Sequence, residues 1–227
     1  MLGGLVLVLS ALAVASVVYV VRLDQDTPAA DPTPVEDRPS VAPVTPGQVV
    51  PLSDVTWYSL HGAQLPVSPT HGPRRTTGEL ASGFSHDPAG AVLAAINIAV
   101  RTSGLAGGES VFAPTIADQT TGDVEGYLAA TRANYAELAV QNRVPAPVVI
   151  GYRIDPASTA DDVRVQLLSR VTNPADPTQH ALMIGALRVQ WISGDWKLTV
   201  PTGAGKQVSE VPNGFSAMPG QVLSISG

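Results

Sequence analysis

Histidines, tyrosines and carboxylates are the residues of this chain whose types could do chemistry, because the chain has no cysteine. Zinc sites usually draw their ligands from short motifs such as two histidines four residues apart. The four histidines show neither that spacing nor a close cluster with carboxylates, so we expect no metal site. They are His61, His71, His86 and His180.

A pocket enzyme that works by acid–base catalysis needs a carboxylate base and a hydroxyl donor directed at one cavity. The residue types for that pair are present at Asp118, Tyr127, Tyr135 and Tyr152. The tyrosines fall on apolar stripes of predicted helices and strands, however, where packing explains them. Nucleophile motifs such as Gly-x-Ser-x-Gly, and a glycine-rich phosphate loop before a helix, do not occur in the sequence. We therefore expect no catalytic residues and no cofactor.

Basic residues on the predicted strands form a more informative pattern. Apolar residues alternate in four segments that begin near Val148, Val163, Leu187 and Trp196, which predicts half-buried strands. Residues out of phase with the apolar ones project from the opposite sheet face. The basic residues there are Arg153, Arg164, Arg170, Arg188 and Lys197. With no acidic residue predicted beside them, they form either a solvated face or a docking surface for an acidic partner, a second copy or anionic headgroups.

The strands and the segments before them predict a two-layer domain. A turn at Gly194-Asp195 favours a tight hairpin between the last two strands, and the four strands form an antiparallel meander. Asp87 can cap a helix whose first residue is Pro88. The three predicted helices cover about residues 88–102, 114–119 and 124–141. Helices followed by an antiparallel sheet give the α+β class, with the helices on one sheet face.

The first 22 residues predict a membrane anchor. Leu2 to Val21 carries no charge and is long enough to cross a hydrocarbon core of about 30 Å. A cleaved signal peptide with a small-x-small site at Ala13-Val14-Ala15 is the alternative. Arg22 alone would place the following chain in the cytoplasm by the positive-inside rule. The acidic, Pro-rich tract that follows favours an extracytoplasmic domain at the cell membrane, which is the orientation we expect.

Composition divides the chain further and excludes one class of partner. Residues 23–51 predict a Pro-rich disordered linker and residues 52–83 an extended arm and loop. Residues 84–201 form the α+β domain, and residues 202–227 predict an irregular tail. The net charge of -6 argues against nucleic acid as a partner, since binding to phosphates needs a cationic surface.

The segment from Val189 to Leu198 resembles the terminal hairpin of nuclear-transport-factor-2-like (NTF2-like) domains. It contains a tryptophan-bearing strand, a Gly-Asp turn and a second tryptophan. The resemblance covers about residues 84–201 and implies three helices packed on a curved antiparallel sheet of four or more strands. Isomerases, dehydratases, binding modules and membrane-apparatus subunits share this fold, so the resemblance implies no single activity.

The order of anchor, spacer and domain is similar to VirB8/TcpC-like subunits of bacterial conjugation and secretion machines. Leu65 to Arg74 and Gly83 to Ala91 are similar to segments of uncharacterised membrane proteins from actinobacterial mobile elements. Anchored actinobacterial proteins that accompany lipid importers share the same layout. None of these resemblances carries over a catalytic residue.

We therefore expect a non-enzymatic, membrane-tethered interaction or scaffold subunit of a cell-envelope apparatus for conjugative transfer or secretion. Its protein partners, or a second copy of the chain, would contact the cationic face. The alternative is a small-molecule or lipid-binding domain that uses a pocket between helices and sheet. A ketosteroid-isomerase-like enzyme is the third possibility.

Overall fold

The computed structural model describes residues 50–77, 79–140, 146–173 and 176–224. The predicted anchor and nearly all of the predicted linker lie outside these ranges. Within them, no helix is both long enough and apolar enough to cross a membrane.

The arm before the helices consists of two hairpins. Strand β1 (Thr56–Leu60) pairs antiparallel with β2 (Ala63–Val67), and β3 (Arg75–Thr77) pairs antiparallel with β4 (Leu80–Ser82). His61 and Gly62 connect the first pair with φ angles of 49° and 95°. Positive φ at both central residues is the type I′ geometry that matches the twist of the strands.

Three helices follow the arm: α1 (Pro88–Thr102), α2 (Glu109–Gln119) and α3 (Val124–Val140). The predicted start of α1 is confirmed, and the Asp87 side chain accepts a hydrogen bond from the Gly90 N–H at 2.7 Å. Helix α2 begins five residues before the predicted start at Pro114. Proline is usual in the first turn of a helix. Pro114 lies inside this one, so it does not mark where the helix begins.

The remaining strands form one mixed sheet. They are β5 (Thr120–Thr121), β6 (Val148–Ile154), β7 (Asp162–Asn173), β8 (Asp176–Ile192), β9 (Asp195–Thr199), β10 (Lys206–Val208) and β11 (Ser216–Ala217). Their order is β11-β6-β7-β8-β9-β5, and β10 pairs with β8. The antiparallel meander from β6 to β9 is confirmed. The prediction of a wholly antiparallel sheet was wrong at one edge, where β5 runs parallel to β9.

Helix α1 is buried on nearly all sides because it lies between the sheet and the first hairpin. Leu93, Ile96 and Ile98 have no exposed surface. On the sheet side α1 packs against residues that include Trp196 and Leu198. The other side meets β2, where Asn97 Nδ2 donates to the Pro66 carbonyl at 2.9 Å. The α1 sequence is therefore apolar almost throughout, as burial on all sides requires.

The other sheet face carries a second, smaller core made with the tail. Ile150, Leu168 and Leu182 are fully buried there, packed against tail residues that include Val208 and Phe215. The predicted irregular tail thus contains two short strands, β10 and β11, which extend the sheet. Trp57 Nε1 also donates to the Pro219 carbonyl at 2.9 Å, so the arm and the tail meet.

A bulge in β6 decides which residues reach this second core. The register with β7 shifts between Val149 and Gly151, so Val149 and Tyr152 pack on the α1 side while Ile150 packs on the tail side. The prediction placed Ile150 and Tyr152 on one face. That was wrong because an extra residue in a strand reverses the alternation beyond it.

Candidate functional site

The tail engages the first residue of the predicted cationic face. Arg153 Nη1 donates to the Asn213 carbonyl at 2.9 Å, and Nη2 donates to Gln166 Oε1 at 2.7 Å. Its guanidinium lies 5.0 Å from the centre of the Phe215 ring. Arg153 therefore holds the tail against the sheet and presents little charge to a partner.

Arg188 and Lys197 are also engaged. Arg188 Nε donates to Asp162 Oδ1 at 2.8 Å, and the pKa of the Asp162 carboxyl is lowered, mainly by the hydrogen bond from Arg188. The Lys197 ammonium donates to the Asp118 carbonyl. The prediction of a face without acidic residues was wrong, because β7 begins at Asp162, one residue earlier than the apolar alternation indicated.

Arg164 and Arg170 keep their guanidinium groups without a hydrogen bond or ion pair to any described residue, although the charge of Arg164 contributes to lowering the Asp162 pKa. Arg164 is exposed and lies directly opposite Arg188 in the β7–β8 register. Arg170 is half-buried and lies opposite Leu182. The predicted five-residue surface is thus reduced to two unengaged arginines, with Arg188 exposed beside one of them.

The candidate acid–base residues do not meet at one cavity. Tyr127 is buried and its hydroxyl donates to Thr102 Oγ1 at 2.9 Å, and burial raises the pKa of this phenol. The Tyr152 hydroxyl donates to the Val50 carbonyl, and burial raises the Tyr152 pKa as well. Tyr135 is exposed, while Asp118 lies at the end of α2. The tyrosine hydroxyls that are buried serve packing between elements.

The histidines make separate polar contacts. His71 Nδ1 lies 3.1 Å from Asp87 Oδ2 and 3.2 Å from Ser85 Oγ. Because both groups contact the same ring nitrogen, the imidazole cannot take a proton from serine on one side while aspartate orients it from the other. His86 stacks on Trp191 at 4.1 Å. In the part of the chain that is described, no three potential metal-ligating side chains come together.

An apolar groove lies between α1 and the sheet. Its walls come from the end of α1, the starts of β6 and the loop after β9, and the middle of β7 and β8. The enclosed volume is about 70 Å³. Its lining includes Ala99, Val100, Val149, Leu167, Met183 and Leu187. Among the residues that the structure describes, no ionisable side chain lines it, and the lining Ser103 Oγ already donates to the Val100 carbonyl at 2.7 Å.

The groove lies beside a gap in the strand pairing along the outer edge of β8. Leu182 to Ile184 pair with β10, and Val189 to Ile192 pair with β9. Among the described strands, the residues between them, Gly185 to Arg188, pair with β7 alone. The loop through Pro201, Gly203 and Gly205 passes this gap and lines the groove.

The sequence predicted a pocket between helices and sheet only as an alternative and indicated none of its lining residues, although glycine gave a signal. A Cβ atom placed on Gly185 or Gly203 would meet no atom within 4 Å, so both glycines leave open space. Glycine inside a strand weakens it and often marks a place where another backbone or a ligand approaches. Gly185 lies in the middle of β8, in a segment that was not predicted as strand.

These features define an α+β domain with a mixed sheet and an apolar groove beside its first helix. The chain belongs to the family described as Domain of unknown function (DUF8175), which matches residues 24–215. The match includes the arm and most of the tail. No curated protein and no solved structure matches the chain.

Proposed function

We propose that this protein is a non-enzymatic binding subunit of a cell-envelope apparatus for conjugative transfer or secretion. Residues 2–21 tether it to the membrane, and its domain is an NTF2-like fold outside the cytoplasm. The groove beside α1 receives an aliphatic side chain from an extended segment of a partner protein. The observation that carries the proposal is the lining of the groove, whose described residues offer apolar surface and no ionisable group.

The size of the groove favours a side chain over a whole small molecule. Pockets for small molecules enclose roughly 300–1,000 Å³, whereas this groove encloses about 70 Å³. A valine or leucine side chain is much smaller than such a molecule, and burying one contributes about 1.5–3 kcal/mol. Interfaces commonly draw most of their affinity from a handful of buried anchor residues, and this side chain would be one of them.

The gap in the pairing of β8 supplies the second contact. Gly185 to Arg188 lack a partner strand on their outer edge within the described sheet. An extended peptide can add backbone hydrogen bonds to such an edge while alternate side chains enter adjacent pockets. The open edge and the groove share Gly185, Ala186 and Leu187, so one segment can use both.

Charge specifies the partner further. Arg188 ends the open edge, and Arg164 lies opposite it on β7. Both are exposed. Because Asp162 already pairs with Arg188, an acidic residue next to the aliphatic anchor would complement the charge of Arg164, which makes no ion pair with a described residue. Such complementarity raises association rate and selectivity more than affinity. The partner segment we propose is therefore extended, aliphatic at one position and acidic beside it.

Lipid binding is the second candidate, because the same apolar lining accepts the end of an acyl chain. A ketosteroid-isomerase-like enzyme is less supported, since Tyr127, Tyr135, Tyr152 and Asp118 do not line the groove. The layout of anchor, spacer and domain favours a tethered adaptor in both binding cases.

Cross-linking in cells of the source bacterium tests the groove. A photo-reactive amino acid at Met183, which lines the groove, should cross-link to a protein. Gly185→Val places a β-branched side chain in the open space and should lower this yield about tenfold or more by excluding the anchor. Thr178→Val is the matched control, since Thr178 is exposed on the same strand and does not line the groove.

An unchanged cross-link in Gly185→Val would refute docking in the groove. A cross-link to lipid alone would refute the protein partner and support the second candidate. Melting of each purified variant distinguishes exclusion from unfolding, because valine is a better strand residue than glycine and should leave stability equal or higher.

Protease accessibility in intact protoplasts tests the tether. Cleavage between Thr27 and Pro51 by external protease, with loss of the domain from the cell, is the expected result. Protection until lysis would place the domain in the cytoplasm, make Arg22 an ordinary positive-inside signal, and contradict the envelope assignment.

A further inference from the structure

A second cleft differs from the apolar groove in both size and chemistry. It is bounded by the β3–β4 hairpin, the end of α2 and the start of β9, and it encloses about 320 Å³. That volume is at the lower end of the range for small-molecule pockets, roughly 300–1,000 Å³. Its lining contains two basic residues, two acidic residues and a glutamine.

The glutamine holds an acceptor without a partner. Gln119 is 5% exposed, and its Nε2 donates to the Ala81 carbonyl at 2.5 Å. That bond fixes the amide orientation, since the opposite orientation would place two oxygens together. Gln119 Oε1 is then buried and accepts no hydrogen bond from any described residue. The Gln119 amide therefore forms a fixed part of the cleft wall, with its oxygen shielded from solvent.

The two basic residues have N–H donors that make no hydrogen bond with a described residue. The exposed Arg75 guanidinium makes no hydrogen bond or ion pair with a described residue. The Lys197 ammonium gives one hydrogen bond to the Asp118 carbonyl, and an ammonium has three N–H groups. Both side chains line the cleft, so together they suit a carboxylate.

The two acidic residues differ in their remaining capacity to accept hydrogen bonds. Asp195 accepts from the N–H groups of Gly83 at 2.6 Å, Trp196 at 2.9 Å and Phe84 at 3.3 Å. Asp195 therefore fixes the arm to the β8–β9 turn and is not free to bind a ligand. The carboxylate of Asp118 accepts no hydrogen bond from the described residues, and it adds a negative charge to the Gln119 side of the cleft.

From these placements we infer that the cleft binds a small zwitterion of the free amino acid type. The ligand carboxylate contacts Arg75 and Lys197, and its ammonium donates to the Asp118 carboxylate. This pairing balances the lining charges and uses the remaining donors of the cleft. The site shares no lining residue with the apolar groove, so it does not depend on the proposed function.

The test uses the full chain in detergent and three matched probes, followed by ligand-detected NMR. L-alanine carries both charged groups, propionate lacks the ammonium, and ethylamine lacks the carboxylate. We expect saturable binding of L-alanine at millimolar concentration, and binding of the two fragments at least about tenfold weaker, since each lacks one charge-assisted contact. Equal binding of L-alanine and propionate, or saturable binding of none, would overturn the inference.

Two variants connect the binding to the cleft. Arg75→Gln should weaken L-alanine binding about tenfold, while Arg74→Gln, an exposed neighbour that does not line the cleft, should leave it unchanged. Asp118→Asn removes the negative charge that faces the ligand ammonium and should bring L-alanine binding down to that of propionate. Equal effects of Arg75→Gln and Arg74→Gln would exclude this cleft as the site. Thermal unfolding of each variant identifies any loss due to misfolding.

Discussion

The two faces of the central sheet are covered in different ways. On one face a continuous helix buries residues such as Leu93 against Trp196. On the other face, tail segments with two short strands cover a smaller core around Ile150, Leu168 and Leu182. Farther along that face arginines reach solvent. We infer from this difference that the helix side contributes most of the stability of the domain, whereas the tail side contributes less.

The largest expected effect is on the helix side. Trp196 is fully buried, and its Nε1 donates to the Ser85 carbonyl at 2.8 Å. Trp196→Ala should lower the free energy of unfolding by about 3–5 kcal/mol through lost burial and a cavity. Urea denaturation measures the change. A loss below about 1 kcal/mol, the scale of an ordinary surface substitution, would break the comparison.

A smaller effect is expected on the tail side. Phe215 is half-buried against the second core and lies 5.0 Å from the Arg153 guanidinium. Phe215→Ala should cost about 1–2 kcal/mol, since only part of the ring leaves an apolar environment. Phe215→Leu, which keeps most of the packing, is the control. If Phe215→Ala matched Trp196→Ala in urea, the two faces would be equally important and the distinction would fail.

The smallest effect concerns the exposed ion pair. Arg188 lowers the pKa of Asp162 from its usual value of 3.8, so the charged carboxylate stabilises the folded state. This contribution is present above pH 3.8 and is lost as the pH falls through the lower folded-state value. Arg188→Gln should therefore unfold at a slightly lower temperature than the parent at neutral pH. The two melting temperatures should converge in acid, and a constant gap would show that Asp162 is not the cause.

Local signals predicted the elements with definite starting residues. Asp87 followed by Pro88 predicted the beginning of α1, and the Gly194-Asp195 turn predicted the β8–β9 hairpin, both of which the structure confirms. Alternation also placed Arg164 and Arg188 on the face away from α1. These signals succeed because capping and turn formation depend on a few neighbouring residues.

Elements covered on both sides were harder to predict. The first half of β8 was missed because Ala181 to Ile184 form an apolar run without alternation. Leu182 packs under the tail and Met183 lines the groove beside α1, so burial on both faces removes the period of two. Strands of two or three residues, such as β10 and β11, are too short to show any period.

The candidate sites depended on long-range placement. Gln119 and Ala81 are 38 residues apart in the chain. No local pattern indicates that the Ala81 carbonyl would accept from Gln119 Nε2 and that Gln119 Oε1 would find no donor among the described residues. The groove likewise needed α1, β8 and the loop after β9 to meet. Gly185 was the local signal available. Because no strand was predicted around it, the sequence did not indicate on which sheet face Gly185 lies.

The bond from Trp57 to Pro219 sets an order of events during synthesis. The two residues are 162 positions apart, and a ribosome adding about 5–20 residues per second needs roughly ten to thirty seconds to make that stretch. Throughout this interval the first hairpin exists without its C-terminal partner. The contact between the arm and the tail can form only after Pro219 has been made, so during this interval the Trp57 indole lacks that hydrogen-bond acceptor.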